Sequence, residues 1–205
     1  MTTARPQPSA RDPRYRRGEA ARTRLVDVAS ELFRARGINR VGVDEVVAES
    51  GVAKSTLYRW FATKDDLVVA FLDRRDEMFW QQWDAVAARH PDARDQLLAQ
   101  LRWISAYVDR DDVRGCPFLN TTAEVPEPAD RIRTRCAEHK HQLRERLREL
   151  CDDLGVDHGE RLADQLLLII DGAFSDSEVF GPGGPHRQLE RCGAALIAAF
   201  TNSLA

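Results

Sequence analysis

At 205 residues, with 43% hydrophobic and 31% charged side chains, the chain is long enough for one small domain beside a larger one, and its composition is that of an ordinary globular protein, indicating neither disorder nor a membrane span. Its unbroken apolar runs, such as Leu166 to Ile170 and Ala194 to Phe200, fall far short of the roughly 20 residues that cross a bilayer. With an arginine-rich, proline-spotted N-terminus that does not read as a secretory signal, a cytoplasmic protein with no membrane partner is expected.

The formal net charge of −3 conceals an asymmetry: residues 1–64 hold 13 Lys/Arg and 7 Asp/Glu, a net +6, and residues 65–205 hold the other 17 and 26, a net −9. A basic front on an acidic body suits a protein that presents one end to a polyanion, although a solvated arginine tail explains residues 5–17 equally well. The four cysteines, Cys116, Cys136, Cys151 and Cys192, are widely spaced without a CxxC pair, so neither a zinc ribbon nor a thioredoxin-type motif is indicated and reduced thiols are expected.

In chain order, residues 1–15 carry Pro6, Pro8 and Pro13 among polar residues and read as a flexible basic arm. From about Arg17, the spacing of Leu25, Val28, Ala29, Leu32 and Phe33 gives one apolar helical stripe, ended by Gly37 after Arg34 and Arg36 in the last turn. A short helix fits Val43 to Ser50 and is broken by Gly51; another fits Lys54 to Phe61, with Leu57 and Phe61 on its inner side. Thr63 is a candidate N-cap for a fourth helix, since Asp65 and Asp66 follow in its first turn, and that helix extends to Arg89 before His90-Pro91. Beyond it, Leu97, Leu101, Ile104 and Val108 share a face, a loop spans Arg114 to Pro117, and a short segment runs from Phe118 to Glu124. After the prolines at 126 and 128 come a long charged helix from Ala129 to Asp153, an apolar one from His158 to Phe180, the loop Gly181 to Pro185, and a last helix from His186 to Ser203. No stretch alternates like a strand, so an all-α fold of about nine helices is expected.

The segment VDEVVAESGVAKSTLYRWF, residues 43–61, has the layout helix, tight glycine turn, helix. Such a turn lets the second helix lie in a major groove about 12 Å wide while the first crosses the backbone. The side chains left outward have suitable chemistry: Lys54 for phosphate, Ser55 and Thr56 for phosphate or base edges, Tyr58 with a hydroxyl on a rigid ring, Arg59 and Trp60 for base edges or sugars. Lys64 stands where amide N–H groups and a cation together hold a phosphate oxygen. The alternative is a plain helical hairpin with a solvated polar face.

Residues 19–72 resemble the N-terminal domain of TetR-family regulators, through LVDVASELFRARG, VDEVVAESGVAKSTLYRWF and KDDL in that order and with the family's spacing. The resemblance implies a three-helix DNA-binding domain over 16–63 and a helical effector-binding and dimerisation domain over 64–205. It puts Lys54, Ser55, Thr56, Tyr58, Trp60 and Lys64 at DNA-contacting positions and Leu25, Ala29, Phe33, Val46, Leu57 and Phe61 in the core. Two departures stand out: Val41 replaces a usual threonine, and Gly42 replaces a common capping serine, leaving Glu45 to supply the reciprocal half of a capping box.

The segment RGCPFLNTTAE, Arg114 to Glu124, is similar to a stretch that lines the pocket in one branch of the family. Aromatic residues concentrate in the same half, and Trp80, Trp83, Trp103, Tyr107, Phe118, Asn120 and Phe174 are the candidate lining of a pocket for a small organic effector, with Phe79 also in the aromatic set and Asp171 and Glu124 as further orienting groups. Core packing is the competing account of the aromatics. No cofactor, metal or catalytic set is expected: Cys136 and His139 share a helical face without a third ligand and read as solvated surface, and Cys116 reads as a buried thiol. An enzyme built on Cys116 with His139 or His158, and a DNA-binding protein with no effector, are the alternatives. The last two helices, with QLLLIIDGAF and CGAALIAAF, are too apolar for solvent, so a homodimer through them is expected, and its two-fold symmetry implies a near-palindromic duplex operator. Repression is what the resemblance implies for the direction of control.

Overall fold

The computed structural model of the chain describes residues 13–127 and 130–201. Among these it contains nine α-helices and one 3-10 turn, with no strand. The helices are α1 (Pro13–Arg36), α2 (Val43–Ser50), α3 (Lys54–Trp60), α4 (Lys64–Ala87), α5 (Ala93–Val108), α6 (Pro117–Glu124), α7 (Arg131–Asp153), α8 (Gly159–Phe180) and α9 (Leu189–Thr201). Positions 1–12 of the expected arm, Ala129 at the expected start of the charged helix, and the 202–203 end of the last helix lie outside the described residues. Residues 13–15, assigned to the arm from sequence, belong to α1, because a proline is compatible with the first turn of a helix.

The chain divides into two compact units, one up to Phe71 and one from Leu72. The division falls within α4, whereas the expected domain boundary lies at that helix's first residue. In the first unit the apolar stripe of α1 is inside: Leu25 and Ala29 are fully buried and Phe33 nearly so, its ring edge-on to Phe71 at 5.6 Å. Val46, Leu57 and Phe61 close this core from α2 and α3. Val41 is buried too, so a valine there supplies packing where a threonine would have to satisfy a hydroxyl.

The second unit packs α7 on α8, α9 on both α5 and α8, and α6 on α7. Leu97, Leu101, Ile104 and Val108 form the buried stripe of α5, and Asp92 caps that helix by accepting from the Asp95 amide. Asp130 caps α7 in the same way through the Ile132 amide at 2.6 Å. Helix α9 approaches α5 closely at Gly193, where a Cβ would stand 2.1 Å from Leu101 Cδ1. The expected helix from His186 instead begins with a 3-10 turn at Pro185–Gln188, tied by Asp109, whose carboxylate accepts from the Gly183 amide, His186 and Arg187. No helix among the described residues is long and apolar enough to cross a membrane.

Candidate nucleic-acid interface and effector cavity

In the first unit, α2 and α3 are separated by a three-residue turn whose first member, Gly51, has φ +64, a left-handed conformation that glycine adopts without steric penalty. Ser50, itself buried, clamps the turn: its hydroxyl donates to the Val47 carbonyl and accepts from the Val52 amide, both at 3.2 Å. Helix α3 is held inward by Leu57 and by Phe61, with the Arg22 guanidinium over the Phe61 ring at 5.7 Å.

With Leu57 inside, helical phase turns Ser55, Tyr58 and Arg59 to the exterior, and Tyr58 is 47% exposed. Thr56 is half-buried. Lys54 is exposed but is engaged by Asp44 of α2 at 2.6 Å, and the hydrogen bond and charge of Asp44 raise its pKa, so the ammonium is firmly cationic. An exposed pair of this kind exchanges readily for a phosphate. Lys64 opens α4 beside a reciprocal cap: Thr63 Oγ1 accepts from the Asp66 amide at 3.2 Å while Asp66 accepts from the Thr63 amide at 2.8 Å.

Two expectations for this unit are corrected. Trp60, placed among the outward residues, is half-buried, and its indole N–H is buried with no hydrogen-bond partner among the described residues. Three residues on from Leu57, it follows the inner face, and Gly18 of α1 leaves it room, an added Cβ there lying 3.4 Å from the ring. Glu45 does not cap α2: no side chain caps that helix at Gly42, and the Glu45 carboxylate pairs instead with Arg36 of α1.

The second unit encloses a cavity of about 300 Å³, with walls from α4, α5, α6, α7 and α8. Of the expected lining, Trp103, Tyr107, Phe118 and Phe174 are present; Trp80, Trp83 and Asn120 are not. The phase of α4 explains the two tryptophans. Arg75, Met78, Phe79 and Gln82 recur at helical spacing and face the cavity, while Asp76, Trp80 and Trp83 occupy the adjacent stripe and face the core. Trp80 donates its indole N–H to Asp76 at 2.8 Å, and the Trp83 carbonyl accepts from the Gln100 amide at 2.9 Å. Asn120 is turned away and donates to the Arg114 carbonyl.

Cys116 and His139, both buried, also line the cavity. His139 and Cys136 were expected at a solvated surface, but α7 turns both inward. The charged look of that helix comes from its other faces, and no group of three or more metal-ligating side chains occurs among the described residues. His139 stacks on Phe118, ring centroids 3.7 Å apart and 7° from parallel, with Phe79 edge-on at 5.0 Å. Burial lowers its pKa, outweighing the opposing hydrogen bond to Asp76, so the ring is neutral near pH 7. Burial resists ionisation of Asp76 in turn, but hydrogen bonds from His139 and Arg135 hold its carboxyl below the usual range. An ionised Asp76 only accepts, so the 2.7 Å contact assigns the proton to His139 Nδ1 and leaves Nε2 as an acceptor. Asp171, thought an orienting group, is paired with Lys140.

A helix-turn-helix unit precedes a helical unit with an aromatic cavity, the layout of helical DNA-binding regulators. Residues 25–71 match the family model described as bacterial regulatory proteins, tetR family. A TetR-family transcriptional regulator from Streptomyces coelicolor shares the fold with a TM-score of 0.81 and 31% identity, over 90% of this chain and 96% of that one. The transcriptional activator FasR of Mycolicibacterium smegmatis is 30% identical over 107 residues, 52% of this chain and 48% of that protein. The transcriptional repressor NemR of Escherichia coli is 24% identical over 115 residues, 55% and 58% of the two chains. The matches to these two curated relatives span about half of their length. The chain belongs to the TetR family of transcriptional regulators.

Proposed function

We propose that this chain is a dimeric operator-binding repressor, released from DNA when a small organic effector fills the cavity of the second unit. The observation that carries the DNA reading is the outward row Ser55, Tyr58 and Arg59 on a helix pinned by Leu57 and Phe61. In this reading Lys54, Ser55, Thr56, Tyr58, Arg59 and Lys64 contact the duplex, while Trp60 fixes the orientation of α3 from behind. Residues 16–63 form the DNA-binding domain and 64–205 the effector and dimerisation domain, and such a protein works in the bacterial cytoplasm.

The dimer reading rests on α8 and α9. Leu168 and Val179 are 72% and 75% exposed, Gly172 and Phe180 are exposed beside them, and Ala195 and Ala199 are exposed on α9. A four-helix contact with a second copy buries this surface. Its two-fold axis sets the recognition helices about 34 Å apart, one DNA turn, and so selects a near-palindromic site. A dimer seated there covers promoter DNA, which favours repression, although the relative FasR is an activator.

Selection of binding sequences from random duplexes, followed by gel shifts across a salt series, tests the DNA reading. A near-palindromic consensus with steep salt dependence is expected, and the Tyr58→Ala/Lys64→Ala double variant loses operator binding while keeping its helicity and dimerisation. Tight, sequence-selective binding by that variant refutes the assigned surface, and a reporter driven from the operator reads repression against activation.

A further inference from the structure

We infer that the cavity takes a one-ring aromatic carboxylate bearing a hydroxyl group, with its carboxylate on Arg75 and its hydroxyl on His139; this rests on the effector role proposed above. The lining contains three cations, Arg75, Arg110 and Lys140, and no Asp or Glu. Two of the cations are already neutralised: Arg110 forms a two-pronged pair with Asp112, and Lys140 is held by Asp171. Arg75 differs. Its guanidinium donates to the Tyr107 hydroxyl at 2.6 Å and meets no carboxylate among the described residues. A half-buried guanidinium with most of its planar fork unused is matched by a carboxylate, which accepts two parallel N–H bonds.

The rest of the wall sets the ligand's body and its far end. Phe79, Trp103, Phe118 and Phe174 offer ring faces and edges, and about 300 Å³ lies at the small end of ligand pockets, which suits a single ring. His139 is only 2% exposed yet lines the cavity, and with Nδ1 committed to Asp76 its remaining polar atom is the acceptor Nε2. That lone pair calls for a donor on the ligand, which a phenolic hydroxyl supplies.

The probes are 4-hydroxybenzoate and its ring isomers, their methyl esters, and phenyltrimethylammonium as a cation of similar size. Each is titrated calorimetrically into the purified protein, with tryptophan emission as a second signal. The acid is expected to bind, the ester about tenfold more weakly, and the cation not at all. Arg75→Met should bring acid and ester to equal affinity; Arg75→Lys, which keeps the charge, should retain part of the preference and covers the case in which the methionine variant does not fold. Failure of every ring carboxylate to bind, equal binding of ester and acid by the native chain, or an undiminished acid preference in Arg75→Met each overturns the inference. Operator release is measured separately. An acid that binds through Arg75 without altering operator affinity leaves the ligand site standing and removes the effector role, whereas absence of any operator binding removes the regulator reading alone.

Discussion

Replacing Asp76 with alanine should cost the second unit about 3 kcal/mol, because one carboxylate there serves three donors on two helices, α4 and α7. Its Oδ1 accepts from Trp80 Nε1 at 2.8 Å and from His139 Nδ1 at 2.7 Å, and its Oδ2 accepts from Arg135 Nη2 at 2.7 Å. Breaking a buried ion pair costs about 3–5 kcal/mol, and orphaning a buried donor about 1–3. Asp76 and Arg135 are 15% and 17% exposed, so solvent relieves little, but Arg135 keeps Asp73 at 2.6 Å, which places the loss at the lower end. In Asp76→Asn the remaining oxygen still serves both ring donors and only Arg135 meets an amide NH₂, so the cost falls to about 1–2 kcal/mol. Asp73→Ala removes a half-exposed partner and should cost under about 1 kcal/mol. Thermal unfolding followed by tryptophan emission reads this unit, since three of the four tryptophans, Trp80, Trp83 and Trp103, lie in it. At roughly 2–4 °C per kcal/mol, the alanine variant melts about 10 °C lower. A loss below about 1 kcal/mol for Asp76→Ala, or an equal loss for Asp73→Ala, refutes the assignment of Asp76 as the hub.

Leu168→Glu with Val179→Glu places charge on the exposed stripe of α8 and should convert the proposed dimer to monomers in sedimentation without loss of helicity; a persistent dimer rejects this interface. Gly193→Val forces a side chain into the 2.1 Å approach to Leu101, and overpacking of about 1–3 kcal/mol should appear as a lower midpoint in urea. His139 gives a pH dependence whose sign follows from its lowered pKa: the unfolded chain binds the proton more readily, so stability is full above the ordinary value of 6.5 and is lost as pH falls below it. Asp76, also lowered, adds a loss in the same direction at more acidic pH. His139→Phe should flatten the melting-temperature change between about pH 7.5 and 5.5, and an unchanged slope rejects the histidine as its source.

Helix order, the glycine turn at Gly51 and the Thr63 cap are all legible in the sequence, because each rests on interactions within four residues of itself. The inner face of α3 is legible for Leu57 and Phe61 but not for Trp60, whose ring lies near Gly18 and so depends on packing between α1 and α3. The cavity shows the same divide. Trp103 and Tyr107, four residues apart on α5, face it together, whereas a count of aromatics cannot tell which stripe of α4 is which. Trp80 and Trp83 attract attention by size, yet the residues one step round, Arg75 and Phe79, form the wall. Nor does local sequence reveal that His139 is buried. The carboxylate that makes its burial tolerable is Asp76, 63 positions earlier in the chain.

That long-range pairing also explains why the cavity wall has a definite shape. A neutral imidazole free to rotate would present either nitrogen to the interior, and a ring stacked only on Phe118 would be held by dispersion alone. The hydrogen bond to Asp76 fixes the tautomer, and Arg135 and Trp80 fix Asp76 in turn. The tautomer and orientation of this lining residue are therefore set by side-chain bonds between α4 and α7 rather than by a ligand. The cost of desolvating Asp76 is met in the same place, by three donors. None of those bonds involves Arg75, one residue earlier on α4, which lines the cavity with its guanidinium fork largely unused.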